Sequence, residues 1–203
     1  MMAITFPREI PAVGYTVCGL RQVSGVKASR SGNKMVNHSQ VHDPFWTVEL
    51  ETKPLRISAR DEVEAWAMSL RGGTKRVLFK NPHRCFPRNH IGDTAPALDD
   101  GLVAGVTDGN IIAVSGVSTS LSLVPGDPIS LVNTHYHLCR VTEITGSGTS
   151  RTITVEPPPP DDIGVGAAVV FAYPALLTRL VPGSFSVLGS GLYTCRFTLQ
   201  ESR

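Results

Sequence analysis

Apolar positions along this chain fall at two spacings. Over most of its length they alternate with polar ones or come in short runs, and once, between residues 59 and 71, they repeat at helical spacing. Trp46, Val48 and Leu50 alternate with Thr47, Glu49 and Glu51, the two-residue period of a half-buried strand. Residues 13–23 predict a strand before it, and the polar, turn-rich stretch 28–42 between the two reads as a loop or a hairpin arm. Val63, Trp66, Ala67 and Leu70 then stand at i, i+3, i+4 and i+7, which predicts a helix over 59–71. Ser58 is its expected N-cap, with Asp61 completing an acidic variant of the capping box. Asp61, Glu62 and Glu64 suit the positive end of the helix dipole, and Gly72-Gly73 supply a left-handed exit after Arg71. A helix with one apolar stripe needs a surface to cover, which here means a sheet.

Residues 75–79 predict a further strand, and residues 81–88 a proline-bounded loop. Turn signals at Gly92-Asp93, Asp99-Asp100-Gly101 and Asp108-Gly109 mark the expected domain boundary. Beyond it, residues 111–114, 120–124, 129–132, 137–145, 152–156 and 167–173 are short apolar or alternating runs divided by turns, the pattern of a small barrel or sandwich. Residues 146–150 fit a hairpin loop, and Pro157 to Pro160 form a rigid extended segment. At the end Tyr193, Cys195, Phe197 and Leu199 alternate strictly with Thr194, Arg196, Thr198 and Gln200, a strand paired into a sheet. The expected fold class is mainly β with one α-helix.

Composition agrees with many turns: 19 Gly and 15 Pro in 203 residues. A formal net charge of +2 gives no strong field. Arg71, Lys75, Arg76, Lys80, Arg84 and Arg88 are spread over a turn, a strand and a loop, and read as a solvated or intersubunit face rather than a nucleic-acid stripe. Cys18, Cys85, Cys139 and Cys195 form no CxxC pair and read as buried reduced thiols, as in a protein assembled in a cytoplasm. The first seven residues lack the pattern of a signal peptide, and no apolar run approaches the length of a membrane span.

Catalytic motifs are absent: no P-loop, GxGxxG, HExxH or GxSxG appears, and Gly183-Ser184-Phe185-Ser186 lacks the second glycine of a nucleophile elbow. Asp99 with Asp100, and Asp161 with Asp162, read as turn formers rather than acid–base pairs. One constellation invites metal: on a strand His135, His137 and Cys139 share a face, with His83, His90 or Cys85 as a further zinc ligand. Same-face neighbours on a strand lie ~6.6 Å apart, too far to converge without distortion. The expectation is a polar face with a buried cysteine, and no catalytic residue, metal or cofactor.

The order of segments carries a resemblance. Phe45-Trp46-Thr47-Val48 leads to a helix with Trp66, then to Leu70-Arg71-Gly72-Gly73, Lys75-Arg76-Val77-Leu78-Phe79 and Asn81-Pro82-His83-Arg84. Gly101-Leu102-Val103-Ala104-Gly105, Pro125-Gly126-Asp127-Pro128-Ile129, Leu138-Cys139-Arg140-Val141 and Ile153-Thr154-Val155-Glu156-Pro157-Pro158 follow, and the chain closes with Phe185-Ser186-Val187 and the strand from Tyr193. Over nearly its whole length this order resembles the distal tail proteins, minor tail proteins of long-tailed bacteriophages and prophages. Each motif is short, and their succession is what matches. The resemblance implies a β-sandwich belt domain over 1–95 with its helix, completed by C-terminal strands 183–203, and a small β insertion domain over 96–182. It also implies a virion component without enzymatic activity, assembled in the host cytoplasm and placed at the tail tip. There it would form a ring, usually hexameric, between the tail tube protein and the baseplate hub, with other tail-tip proteins as partners and neither nucleic acid nor membrane. Trp46, Val63, Trp66 and Leu70 are the expected belt core, with Tyr193, Cys195, Phe197 and Leu199 closing its sheet. Strand edges and the arm at 28–42 are the expected sources of intersubunit pairing, although neither that arm nor the acidic loop at 93–100 matches the family pattern. The alternative is a host-surface, carbohydrate-binding module near 110–182, whose aromatics are Tyr136, Phe171 and Tyr173.

Overall fold

The computed structural model describes residues 4–30, 32, 36–93, 98 and 100–202. The chain is mainly β with one helix, as its hydrophobic pattern predicts. In order, the elements are β1 (Arg8–Glu9), β2 (Tyr15–Val23), β3 (Val26–Arg30), β4 (Val36–Gln40), β5 (Phe45–Thr52), α1 (Ile57–Ser69) and β6 (Arg76–Lys80). Then come β7 (Gly101–Thr107), β8 (Ile111–Ser115), β9 (Pro128–Val132), β10 (Tyr136–Thr145), β11 (Ser150–Glu156) and β12 (Ala168–Val170). The last are β13 (Ala175–Leu180), β14 (Ser186–Leu188) and β15 (Thr194–Glu201). They make three units: an open seven-stranded sheet in the order β1-β6-β13-β15-β5-β2 with β14 beside β15, a closed barrel β10-β11-β8-β7-β12-β9, and the two-stranded ribbon β3-β4.

Helix α1 is the second layer of the open sheet. Val63, Trp66, Ala67 and Leu70 are buried in one cluster with Trp46, Val48 and Leu50 of β5 and with Cys195, Phe197 and Leu199 of β15. Tyr193 lies just outside β15 and is half-buried. The Trp66 and Phe197 rings lie 5.3 Å apart, and Trp66 Nε1 donates to the Glu9 carbonyl at 3.0 Å, tying β1 to the helix. Each large apolar side chain buried this way contributes ~1.5–3 kcal/mol.

The helix begins earlier than its sequence signals suggest. Ser58 lies inside the first turn, and Arg56 takes the N-cap position with extended dihedrals and no side-chain cap bond. The cause is tertiary. Leu55 exchanges two backbone hydrogen bonds with Tyr193, at 2.7 and 2.9 Å, which holds the chain extended up to the residue before Arg56. At the other end Arg71, Gly72 and Gly73 all have positive φ. A Cβ at position 73 would fall on the Leu180 carbonyl oxygen, so glycine is required for close approach to β13 as well as for the turn.

The barrel is antiparallel at every pairing and filled by its own cluster, with Ile112, Ile129, Leu131, Ile153, Val169 and Phe171 among its fully buried residues. Two expectations change here. Residues 120–124 are not a strand, although Leu121 and Leu123 do enter the core. Their backbone donors find partners outside a ladder: Ser122 N–H donates to His90 Nε2 at 2.9 Å, Val124 N–H to the Asp127 carboxylate at 2.9 Å and Leu121 N–H to Ser118 O at 3.1 Å. Conversely β7 occupies part of the stretch read as turns, and it completes the barrel between β8 and β12. Of the acidic loop at 93–100, residues 94–97 and Asp99 lie outside the described residues.

Domain bounds also shift at one end. The segment 96–182 was expected to be the insertion, yet β13 within it pairs with β6 and β15 in the open sheet. Barrel strands end at Val170 and the chain rejoins the sheet at Ala175. Its run ALLTRL carries no alternation that would mark a sheet strand: five of its six residues are buried, including Thr178, whose hydroxyl donates to Val77 O at 3.0 Å.

Sheet and barrel are joined through Trp46. Its Nε1 donates to the Leu138 carbonyl of β10 at 2.7 Å, and its backbone N–H donates to a Glu201 carboxylate oxygen at 2.9 Å. The Leu138 side chain leaves the barrel cluster and packs in that of the sheet. The Arg140 guanidinium lies over the Trp46 ring at 5.6 Å.

Candidate functional site

The arm is the distal part of one long hairpin. Strands β2 and β5 pair from Tyr15↔Thr52 to Val23↔Phe45, and β3 and β4 resume from Val26↔Gln40 to Arg30↔Val36. Residues 24–25 on one side and 41–44 on the other separate the two ladders. Val41 N–H bonds Gly25 O at 2.7 Å, and a Cβ at Gly25 would collide with the His42 carbonyl. Every residue of β3 and β4 is exposed, and neither apolar cluster includes a described residue of the arm. The register puts Val26, Ala28, Arg30, Val36, His38 and Gln40 on one face and Lys27, Ser29, Asn37 and Ser39 on the other. The first face is partly apolar, with Val26 and Val36 nearly half exposed. A two-stranded ribbon without a third strand or a helix against it is marginal in water.

Beside the arm root lies a groove of about 530 Å³, walled by Pro158, Pro159 and Pro160 opposite Ser24, Gly25 and Val26. Asp43, Glu156 and Asp161 line it together with Gln22 and Gln40, and among the described residues no Lys or Arg does. Asn110 Nδ2 donates to Glu156 at 3.1 Å.

The residues singled out for metal do not converge. Among the described residues no group of three His, Cys, Asp or Glu side chains is placed to hold an ion. His135 Nδ1 lies 3.2 Å from the Asp162 carboxylate, half exposed. His137 is buried, its Nε2 donating to Pro157 O at 3.3 Å and its Nδ1 facing Glu201 at 4.0 Å. Cys139 is enclosed in the barrel core, where burial, and the Glu156 charge after it, push its thiol far above the usual range. Of the further candidates, His83 Nε2 lies 3.0 Å from Tyr15 O, Cys85 Sγ donates to Asn81 O, and His90 accepts from Ser122 while its Nδ1 bonds Asp93 at 2.7 Å.

The remaining thiols are also raised by burial, Cys18 to about 11. A thiolate nucleophile needs the opposite shift. Ser184 donates to Val181 O at 2.7 Å and accepts from Thr198 N–H at 3.1 Å, which fastens the loop before β14 to β15. Of the basic set, Arg76 and Lys80 sit on β6 at one side of the sheet, whereas Arg84 and Arg88 lie in the loop leading to the barrel. Among the aromatics considered for sugar, Phe171 is fully buried, Tyr136 half-buried and Tyr173 46% exposed, edge-on to Phe86 at 5.0 Å.

The geometry thus centres attention on the arm, its root and the neighbouring groove. Sequence reading found the arm but not the groove, whose two walls are more than a hundred residues apart in the chain. No family model matches this chain, and no curated protein matches its sequence.

Proposed function

We propose that this protein is a non-catalytic, ring-forming structural subunit of the distal tail protein kind, joining a phage tail tube to the baseplate hub. The observation that carries the assembly part is the arm: ten ladder residues, all exposed, with a partly apolar face and nothing among the described residues of their own chain to cover them. Such a ribbon becomes stable when another chain completes it. Strand β2, at one outer edge of the sheet, offers a second template for pairing. Head-to-tail contacts between two different patches close into rings when the rotation permits. The tail-tip placement rests on the resemblance in segment order.

Electron microscopy of the purified protein, with its mass in solution, tests this. Closed rings with a central opening are expected, six copies each. A monomer at every concentration would overturn the assembly reading, and absence of the protein from purified virions would overturn the tail-tip placement. The second reading, a host-surface glycan module, is favoured by the exposed Tyr173 ring against Phe86. Glycan-array binding lost in Tyr173→Ala would support it.

A further inference from the structure

We infer that the basic arm of one copy, through Lys27 and Arg30 of β3, seats in the acidic groove at the arm root of the next copy, so that one repeated contact runs around the assembly. This rests on the ring-subunit reading and names the surface that receives the arm.

Charge is the first argument. From Ser24 to His42 the sequence holds Lys27, Arg30 and Lys34 and no carboxylate, so this segment carries +3, while the chain as a whole carries +2 and the remainder therefore −1. The groove presents the converse: three carboxylates and no cation. Its proline wall strengthens the match. Proline has no backbone N–H, so the wall of Pro158, Pro159 and Pro160 brings no backbone donor to the groove. Ammonium and guanidinium groups are donors only. An anionic ligand would meet three carboxylates there, whereas Lys and Arg side chains find both opposite charge and acceptors.

Reach is the second argument. Val26 lines the groove, and Arg30 stands four ladder positions further out, ~13 Å away at ~3.3 Å per residue. A paired ribbon cannot fold back on its own root, so Arg30 cannot fill the groove of its own chain. A second copy brings the same arm with the same charge. Donor and receiver are different patches of one surface, which is the condition for a head-to-tail contact. The groove is large enough for a few side chains and too small for a folded domain.

The test uses charge reversal in the full chain, read as oligomeric mass in solution. Wild type should assemble. Lys27→Glu with Arg30→Glu should lower the assembled fraction at least tenfold, and so should Glu156→Lys with Asp161→Lys. Mixing the two purified variants should restore rings of alternating copies, because each then offers the partner the other lacks. One chain carrying all four changes should also assemble. Rings should dissociate as salt rises, since ~1 M salt shortens the screening length to ~3 Å. Rings that persist in both charge-reversed variants would overturn this contact and leave the ring reading standing. Folded variants that neither the mixture nor the fourfold chain rescues would also overturn it. So would intact rings whose arm variant has lost only a wild-type affinity for DNA, an outcome that assigns the arm to nucleic acid. A wild-type monomer would remove both readings together.

Discussion

Trp46 is where a single side chain decides most. It is 2% exposed, and its indole N–H meets a buried carbonyl on the barrel. Trp46→Phe keeps much of the packing and strands the Leu138 carbonyl, so it should cost ~1–3 kcal/mol in a urea titration. Tyr15 and Cys18, with the other raised thiols, contribute to the response to alkali. Burial holds both protons more tightly in the folded chain than in the unfolded one, with Cys18 at about 11. Their stabilisation is complete below the ordinary thiol range and is lost as pH rises through the folded value. The urea midpoint should therefore fall between about pH 9 and about pH 11, and less so in Cys18→Ala; a flat profile would contradict this. At this scale the sequence was legible where side chains meet apolar neighbours and illegible where they meet distant polar ones. The alternation placed Cys195, Phe197 and Leu199 inside correctly. Nothing local could show that His137 faces Glu201, because that partner arrives from the far end of the chain.

Helix α1 shows both halves of the same lesson at the scale of an element. Its buried face follows from the 3.6-residue period, whereas its first residue was decided by the Leu55–Tyr193 pairing. Two substitutions separate these effects. Ser58→Ala should change stability by less than ~0.5 kcal/mol, because Ser58 caps nothing. Arg56→Ser should stabilise by ~1 kcal/mol, because it places a side-chain acceptor at an uncapped N-terminus that already has cap dihedrals. Thermal melts of the two variants check the pair. The arm is an element of the opposite kind. Among the described residues, replacing 26–40 with a short Gly-Ser turn removes nothing from either apolar cluster. The monomer should keep its melting temperature to within a few degrees, while the ring assembly proposed above should be lost. Residues 120–124 were misread for a physical reason: their alternation reports burial alone, and their backbone donors are met by His90 and Asp127 from outside any ladder.

Across the whole molecule, sheet and barrel share one seam, with Leu138 reaching from the barrel into the sheet's core. Leu138→Ala should cost ~2–5 kcal/mol. It should also resolve a single calorimetric transition into two, since the side chain that couples the clusters is gone. One transition unchanged in shape would mean that coupling runs elsewhere. By itself the sequence determined the fold class, the helix and its buried stripe, the closing strand, the arm and the turn-rich second unit. These follow from local periodicity and turn chemistry. Only the tertiary structure decided that β13 returns to the sheet before the barrel segment was expected to end, that β7 closes the barrel, and that Pro158–Pro160 face the arm root across an acidic groove. Each of these depends on pairing between residues distant in the chain, and hydrophobic period records which side of a strand is buried without recording which strand lies next to it.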